Sequence, residues 1–154
     1  MEATAVDNVI SDEDAIVLWN PTAAALWSLL FTPAFGAWLH MLNWERLGRP
    51  ALARQARYWF AAMLLISLAS AVASAAGALL GREDLVAPWW ASLLLFSAWA
   101  CLSAYPQIQH VDDHHGERYV RRSWAAPIMT GLSAICAIPF GAAVVAGYRA
   151  AAGQ

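Results

Sequence analysis

Residues 107–124 read QIQHVDDHHGERYVRRSW, and this stretch holds much of the polar chemistry of the chain. It contains three of the four histidines, three of the eleven acidic residues and three of the nine arginines. The segments on either side of it are apolar. The stretch therefore divides the chain, and it is the first place to look for both a turning point of the fold and a functional surface.

The rest of the 154-residue chain has the composition of an integral membrane protein, with 60% hydrophobic and 13% charged residues. The charges are confined to short clusters, so that residues 15–44, 58–81, 85–109 and 123–148 carry none. Each interval is long enough for the roughly 20 apolar residues that a helix needs to cross a bilayer. The sequence therefore predicts an all-α membrane protein with four transmembrane helices in a small bundle.

These intervals also predict the domain boundaries. We expect an acidic N-terminal tail over residues 1–20, a membrane domain over 21–149 and a short C-terminal tail over 150–154, with spans at about 21–42, 58–80, 88–108 and 123–148. Ser11 and the acids after it are typical of a helix N-terminus and predict a short interfacial helix that runs into Trp19. Asn20 and Pro21 then supply the cap and the first-turn proline of the first span.

The first span contains Pro33 and Gly36 within one turn of each other. Pro33 lacks a backbone donor and clashes with the preceding turn, so a kink is expected. The segment is either an ordinary kinked crossing helix or a re-entrant hairpin that lines a cavity. His40, near its end, is interpreted as an interfacial histidine.

The arginines predict the orientation, because basic residues in short loops are retained in the cytoplasm. Seven of the nine lie in the first and third connections: Arg46, Arg49, Arg54, Arg57, Arg118, Arg121 and Arg122. We expect these two connections on the cytoplasmic side of a bacterial inner membrane, with the first four arginines beside lipid phosphate, and the C-terminus outside. Four full spans place the N-terminus outside as well, whereas a re-entrant first segment leaves it cytoplasmic.

Small residues recur at every fourth position in the second and fourth spans. Because such rows let helix backbones approach closely in lipid, they predict that these two helices pack together. A homodimer face is the alternative. The rows are Ala69, Ala73 and Gly77 in the second span, and Ser133, Ala137 and Gly141 in the fourth.

In the central stretch, His110, His114 and Glu117 have a spacing that a metal could use on a helix, but a zinc site normally needs more convergent ligands with outer-shell support. The favoured interpretation has no metal. The third helix continues through His115, Gly116 ends it, and Glu117–Arg122 begins the next helix. The stretch then serves as a partner-binding surface made of His110, Asp112, Asp113, His114, His115, Glu117, Arg118, Arg121 and Arg122.

No catalytic motif, cofactor fingerprint or intramembrane charge is found, and no basic tail indicates nucleic acid. We therefore expect a protein that is not an enzyme and binds no cofactor. It would bind a protein partner or a second copy of itself, in or at the bilayer and surrounded by lipid, as a complex subunit, an assembly factor or a toxin-neutralising immunity protein. The alternative is permeation or metal handling through the histidine-rich loop and the kinked first helix. A lipid-modifying enzyme that uses the loop histidines is a third hypothesis.

Overall fold

The computed structural model describes residues 16–82, 88–116 and 118–151, without the side chains of 78–79, 89, 137–146 and 149–150. The described part of the chain is predominantly helical, as the sequence predicts. In chain order the elements are β1 (Val17–Leu18), α1 (Pro21–Leu30), α2 (Pro33–Arg46), α3 (Pro50–Leu80), α4 (Trp89–Trp99), a π-helical turn (Ala100–Ala104), α5 (Tyr105–His114), β2 (Val120–Arg121) and α6 (Ala125–Ala151).

The first apolar segment folds as a helical hairpin. α1 ends at Leu30 and α2 begins at Pro33 after a two-residue turn. Thr32 is extended and its hydroxyl accepts a hydrogen bond from the Phe35 amide, so it caps α2, with Pro33 in the first helical position. A residue before proline is disfavoured in the helical conformation, which ends α1 here. The prediction of one kinked helix over 21–42 is therefore wrong, and the hairpin alternative has the observed geometry.

The two hairpin helices run antiparallel and approach most closely at Gly36. The Pro21 carbonyl oxygen lies 3.2 Å from His40 Nε2 at the open end, and Gly36 faces Ser28 farther along. A methyl group at position 36 would collide with Ser28 Oγ and lie 2.7 Å from the Trp99 ring of α4. With 10 residues in α1 and 14 in α2, each helix is shorter than a bilayer crossing requires.

Two stretches of the described residues are long and apolar enough to cross a membrane, Pro50–Gly77 and Trp90–His114. Most of their residues are not buried inside the chain, unlike those of a core helix. Pro50 occupies the first turn of α3, and Gly81, with φ +65°, ends that helix in the left-handed conformation. These two helices support a membrane architecture, but they do not by themselves establish four spans.

The second of these stretches contains the π-helical turn between α4 and α5. The Tyr105 amide donates to the Ala100 carbonyl, five residues earlier. Pro106 explains the turn, since it has no amide proton and its ring excludes the carbonyl four residues before it, which favours a widened turn. As the sequence predicts, the helix then continues to His114 and Gly116 follows it with φ +54°.

The N-terminal tail is extended where it is described. Val17 and Leu18 form β1, which pairs in parallel with β2 in the register Val17 to Val120 and Leu18 to Arg121. The prediction of a helix that runs into Trp19 is therefore wrong for these residues, and the part of that prediction over 11–15 lies outside the described residues. The predicted helix start over Glu117–Arg122 is wrong as well, because 120–121 is a strand and α6 begins at Ala125. Both errors come from the same long-range pairing.

α6 meets the hairpin tip, where a methyl group at Gly131 would lie 2.7 Å from the Phe31 ring. Of the predicted small-residue rows, Ala69 and Ser133 are exposed, Ala73 is half-buried and Gly77 is buried. Ala137 and Gly141 are helical, and their surroundings lie outside the description. An open apolar groove of about 710 Å³ runs between α2, α3 and α6. The pairing of the two rows stays a prediction.

Gly36→Ala tests the hairpin contact. The added methyl group should reduce the free energy of unfolding by about 1–3 kcal/mol, as overpacking of a filled core does. Gly147→Ala is the matched control, because a methyl group at position 147 would meet no atom within 4 Å in the described part of the chain beyond its own helical backbone, and alanine favours a helix. Thermal and denaturant unfolding of the purified protein in mild detergent would measure both. Equal stabilities for the two variants would contradict the close approach of α1 and α2.

Candidate functional site

The open end of the hairpin, the end of α5 and the loop before α6 meet at one end of the molecule, which we call the polar end. Its centre is the backbone of Trp19. The Trp19 amide donates to Asn43 Oδ1 (3.1 Å), and Asn43 Nδ2 donates to the Trp19 carbonyl (2.8 Å). Asn43 is fully buried and Trp19 nearly so. The Asn43 side-chain amide thus bonds both backbone groups of Trp19, the residue two positions before α1. This interaction closes the hairpin by tying α2 to the chain that leads into α1.

The Trp19 side chain joins the tail to the loop before α6. Its Nε1 donates to the Ser123 carbonyl (3.1 Å), and the guanidinium groups of Arg46 and Arg122 lie over the indole at 4.7 and 4.4 Å. Arg46 also donates to the Val17 carbonyl (3.3 Å). Cation–π contacts of this kind contribute on the order of 0.5–2 kcal/mol each. Arg46, predicted to face lipid phosphate, therefore has partners within the chain.

The strand pair fixes the same loop by its backbone. The Val120 amide donates to the Ile16 carbonyl (3.0 Å) and the Arg122 amide donates to the Leu18 carbonyl (2.8 Å). The loop is consequently held at residues 120–123, while the side chains around it face solvent. The exposed members of the predicted partner-binding set are Asp112, Asp113, His114, Arg118, Arg121 and Arg122, and we call these six residues the loop surface. Glu117, predicted to belong to it, lies outside the described residues.

The loop histidines stack together at the end of α5. The rings of His110 and His114 are 4.2 Å apart between centroids, His110 lies 5.2 Å from Trp44, and His115 is 6.5 Å from His110. His114 Nδ1 donates to the His110 carbonyl (2.9 Å), which uses one of its two ring nitrogens. Among the described residues, no group of three or more histidine, cysteine or acidic side chains could hold a metal ion. The prediction of a loop without a tightly bound metal has not been tested directly.

A buried polar core lies between the hairpin and α5, and it is the feature that sequence analysis missed. His40 and Gln107 are fully buried, and Gln107 Nε2 donates to the His40 carbonyl (2.8 Å). The interpretation of His40 as an interfacial residue is therefore wrong. His40 Nδ1, Gln107 Oε1 and Trp99 Nε1 are buried without a hydrogen-bond partner in the described part of the chain. Buried polar groups of this kind are commonly bonded to ordered water.

The arginines of the first connection differ in their surroundings. Arg57 pairs with Glu45 at 2.8 Å, with both side chains largely exposed. Arg49 and Arg54 are exposed beside it. An exposed pair of this type contributes little to stability, about 0–1 kcal/mol, so it does not prevent these guanidinium groups from binding another anion. The assignment of Arg49, Arg54 and Arg57 to lipid headgroups stays a prediction.

Asn43→Ala tests the closure of the hairpin. It leaves two buried backbone groups of Trp19 unpaired, and each such group costs about 1–3 kcal/mol, so a loss of roughly 2–4 kcal/mol is expected. Gln109→Ala removes an exposed amide that bonds only to Tyr105 of its own helix, and it should change the stability by less than about 0.5 kcal/mol. Denaturant unfolding gives the stabilities, and limited proteolysis reports release of the N-terminal tail. A tail that stays protected in Asn43→Ala would contradict the closure.

Comparison with known proteins gives no match. No family model matches the chain, and no curated protein or solved structure matches it.

Proposed function

We propose that this protein is a non-catalytic membrane protein that binds a protein partner through the loop surface. One observation carries the proposal: six exposed polar side chains, of which three are arginines and two are aspartates, surround a loop whose backbone is fixed by β1 and Trp19. Partner binding orders exposed loops at an entropic cost, so a loop that is already fixed can bind with less loss. Mixed charges add selectivity, because like-charged competitors are repelled.

The membrane placement follows from the helix lengths and the hairpin. In the proposed arrangement α3, the continuous helix α4–α5 and α6 cross the bilayer, and the α1–α2 hairpin enters from the polar end and returns to it. The strand pair puts residues 16–18 on the same side as the loop surface. Because the arginine-rich connections lie at this end, it faces the cytoplasm of a bacterial inner membrane, and the C-terminus lies on the opposite side.

The partner is another protein of the same membrane or its cytoplasmic face, or a second copy of this chain. A complex subunit, an assembly factor and a toxin-neutralising immunity protein all work by this kind of binding. The loop histidines offer no catalytic arrangement to favour an enzyme, since His110 packs on Trp44 and His114 bonds to the backbone of its own helix.

Permeation is the second candidate, and the buried polar core favours it. A re-entrant hairpin with buried polar side chains is typical of sites in channels and transporters. In this protein, however, Asn43 bonds the two backbone groups of Trp19, which lie outside the helices, and Gln107 donates to the His40 carbonyl. A structural role therefore accounts for these two side chains, and the loop surface carries the first proposal.

The proposed topology is tested by reporters. Fluorescent-protein insertions at residues 48 and 116 should be active in the cytoplasm, and alkaline phosphatase fused after Gln154 should be active outside. An N-terminal tag should be cleaved by protease only when the cytoplasmic face is exposed, because the hairpin returns to the side from which it enters. A tag that is accessible from the periplasm would mean that residues 21–46 cross the membrane in the cell.

Partner binding is tested by charge reversal combined with photo-crosslinking. A benzoylphenylalanine in place of Asp113 should give one discrete adduct in intact cells, and the same probe in place of Tyr148, at the far end of α6, should not. Arg118→Glu with Arg121→Glu should reduce the Asp113 adduct at least tenfold, since both arginines belong to the loop surface. Arg49→Glu with Arg54→Glu is the matched control, with the same total charge change on two exposed arginines outside the loop surface. An adduct that is unaffected by the double reversal would contradict the proposed surface.

A further inference from the structure

The groove between α2, α3 and α6 is a feature that the loop surface does not explain. It has a volume of about 710 Å³ and is open along one side. Phe35 and Trp38 of α2 form one wall, Leu64 and Ala71 of α3 form the second, and Ala134 of α6 faces them. The hairpin tip bounds the groove at Phe31, where α6 meets it.

The walls of this groove select for an apolar occupant. The hydroxyl groups that line it belong to Thr32, Ser67 and Thr130. The Thr32 hydroxyl accepts from the Phe35 amide, and the Thr130 hydroxyl donates to the Ala126 carbonyl, so two of the three are engaged within their own helices. A polar ligand would lose its hydration here without gaining equivalent hydrogen bonds, whereas hydrocarbon loses nothing.

The length of the groove suits a hydrocarbon chain. Along α3 the groove extends from Phe60 to Ala71, which is about 17 Å at 1.5 Å per residue. A single acyl chain can lie lengthwise in it.

The arginine of α3 that is nearest to the groove along the helix is Arg57, which lines a neighbouring pocket with Glu45. Arg57 lies one turn before Phe60 and on the same face of α3 as Leu64 and Leu68, seven and eleven residues later. Its guanidinium group gives one bond to Glu45 and has further donors for a second anion. With Arg46, Arg49 and Arg54 nearby in sequence and Glu45 the only acid between residues 45 and 57, this part of the chain is electropositive.

We propose that the groove binds one acyl chain of an anionic glycerophospholipid, with the lipid phosphate on Arg57. The apolar walls exclude the polar parts of the lipid, the length of the groove suits an acyl chain, and the positive charge of Arg57 one turn before the groove favours an anionic headgroup. This inference depends on the membrane placement proposed above and is independent of the loop surface.

Filling the groove provides the test. Ala71→Phe and Ala134→Phe place a ring in the groove from opposite walls, and Ala69→Phe and Ser133→Phe place the same ring on the same helices at exposed positions that do not line it. Native mass spectrometry of the detergent-purified protein, titrated with palmitoyl-oleoyl phosphatidylglycerol, should show one lipid bound per chain. Binding should fall at least tenfold in the two groove variants and stay unchanged in the two controls.

The headgroup contact is tested with the same probe. Arg57→Gln should weaken phosphatidylglycerol binding at least fivefold, and phosphatidylcholine with the same chains should bind the unaltered protein correspondingly less well. A benzoylphenylalanine in place of Leu68 should form its adduct with lipid. Equal retention of lipid by the groove variants and their controls would overturn the proposal, as would equal binding of the two lipids or an adduct of Leu68 with a protein. Carbonate extraction of cell membranes tests the membrane placement separately, and the Asp113 crosslink reports on the loop surface whichever result the groove gives.

Discussion

The structure depends on the closure of the α1–α2 hairpin by one side-chain amide. Two short apolar helices joined by a two-residue turn gain little from hydrophobic contact if they lie in lipid, because lipid solvates their side chains equally well. Asn43 supplies what packing does not, since it bonds both backbone groups of Trp19, and with Trp19 in place the tail can pair with β2. The loop before α6 is therefore positioned by an interaction more than one hundred residues away in sequence.

The π-helical turn in the continuous helix α4–α5 complements the hairpin. In a regular α-helix the Pro106 ring would clash with the carbonyl four residues earlier, and that carbonyl would lack its hydrogen bond. The widened π-helical turn accommodates the ring and the missing bond. One consequence is that Gln107 is buried beside the hairpin and bonds to the His40 carbonyl. The polar core thus contains His40 from the hairpin and Gln107 from α5, and one hydrogen bond joins them. Such networks specify one arrangement of helices where apolar contact alone would permit several.

Several elements could be predicted from sequence because their signals are local. Pro50 begins α3, Gly81 and Gly116 follow helices in the left-handed conformation, and the charge-free intervals contain the long helices. The hairpin turn also had a local signal. Thr32-Pro33 has the same pattern of capping residue and first-turn proline as Asn20-Pro21, so the rule that predicts the start of α1 also predicts the start of α2, in a segment for which the sequence analysis favours a kink and keeps a re-entrant hairpin as the alternative.

The strand pair and the polar core lacked such signals. Val17 and Val120 form a pair of only two residues on each side, too short for an alternating pattern, and the pairing depends on tertiary proximity. His40 and Gln107 are polar residues near the ends of apolar segments, where an interfacial position is the ordinary interpretation. Their burial follows from the hairpin, so an error at Thr32-Pro33 leads directly to the error at His40.

The two ends of the molecule are built differently, and this difference bears on function. At the polar end, strand pairing, the Trp19 contacts and the Asn43 amide fix the backbone. The loop that carries the charged side chains would therefore lose little conformational entropy on binding. Beyond the hairpin tip the described helices share no comparable polar network, and their apolar side chains are largely exposed. In a bilayer that surface is covered by lipid at no penalty. The fixed polar end is therefore the part of the molecule suited to the proposed recognition of a protein, and the open apolar end is suited to contact with hydrocarbon.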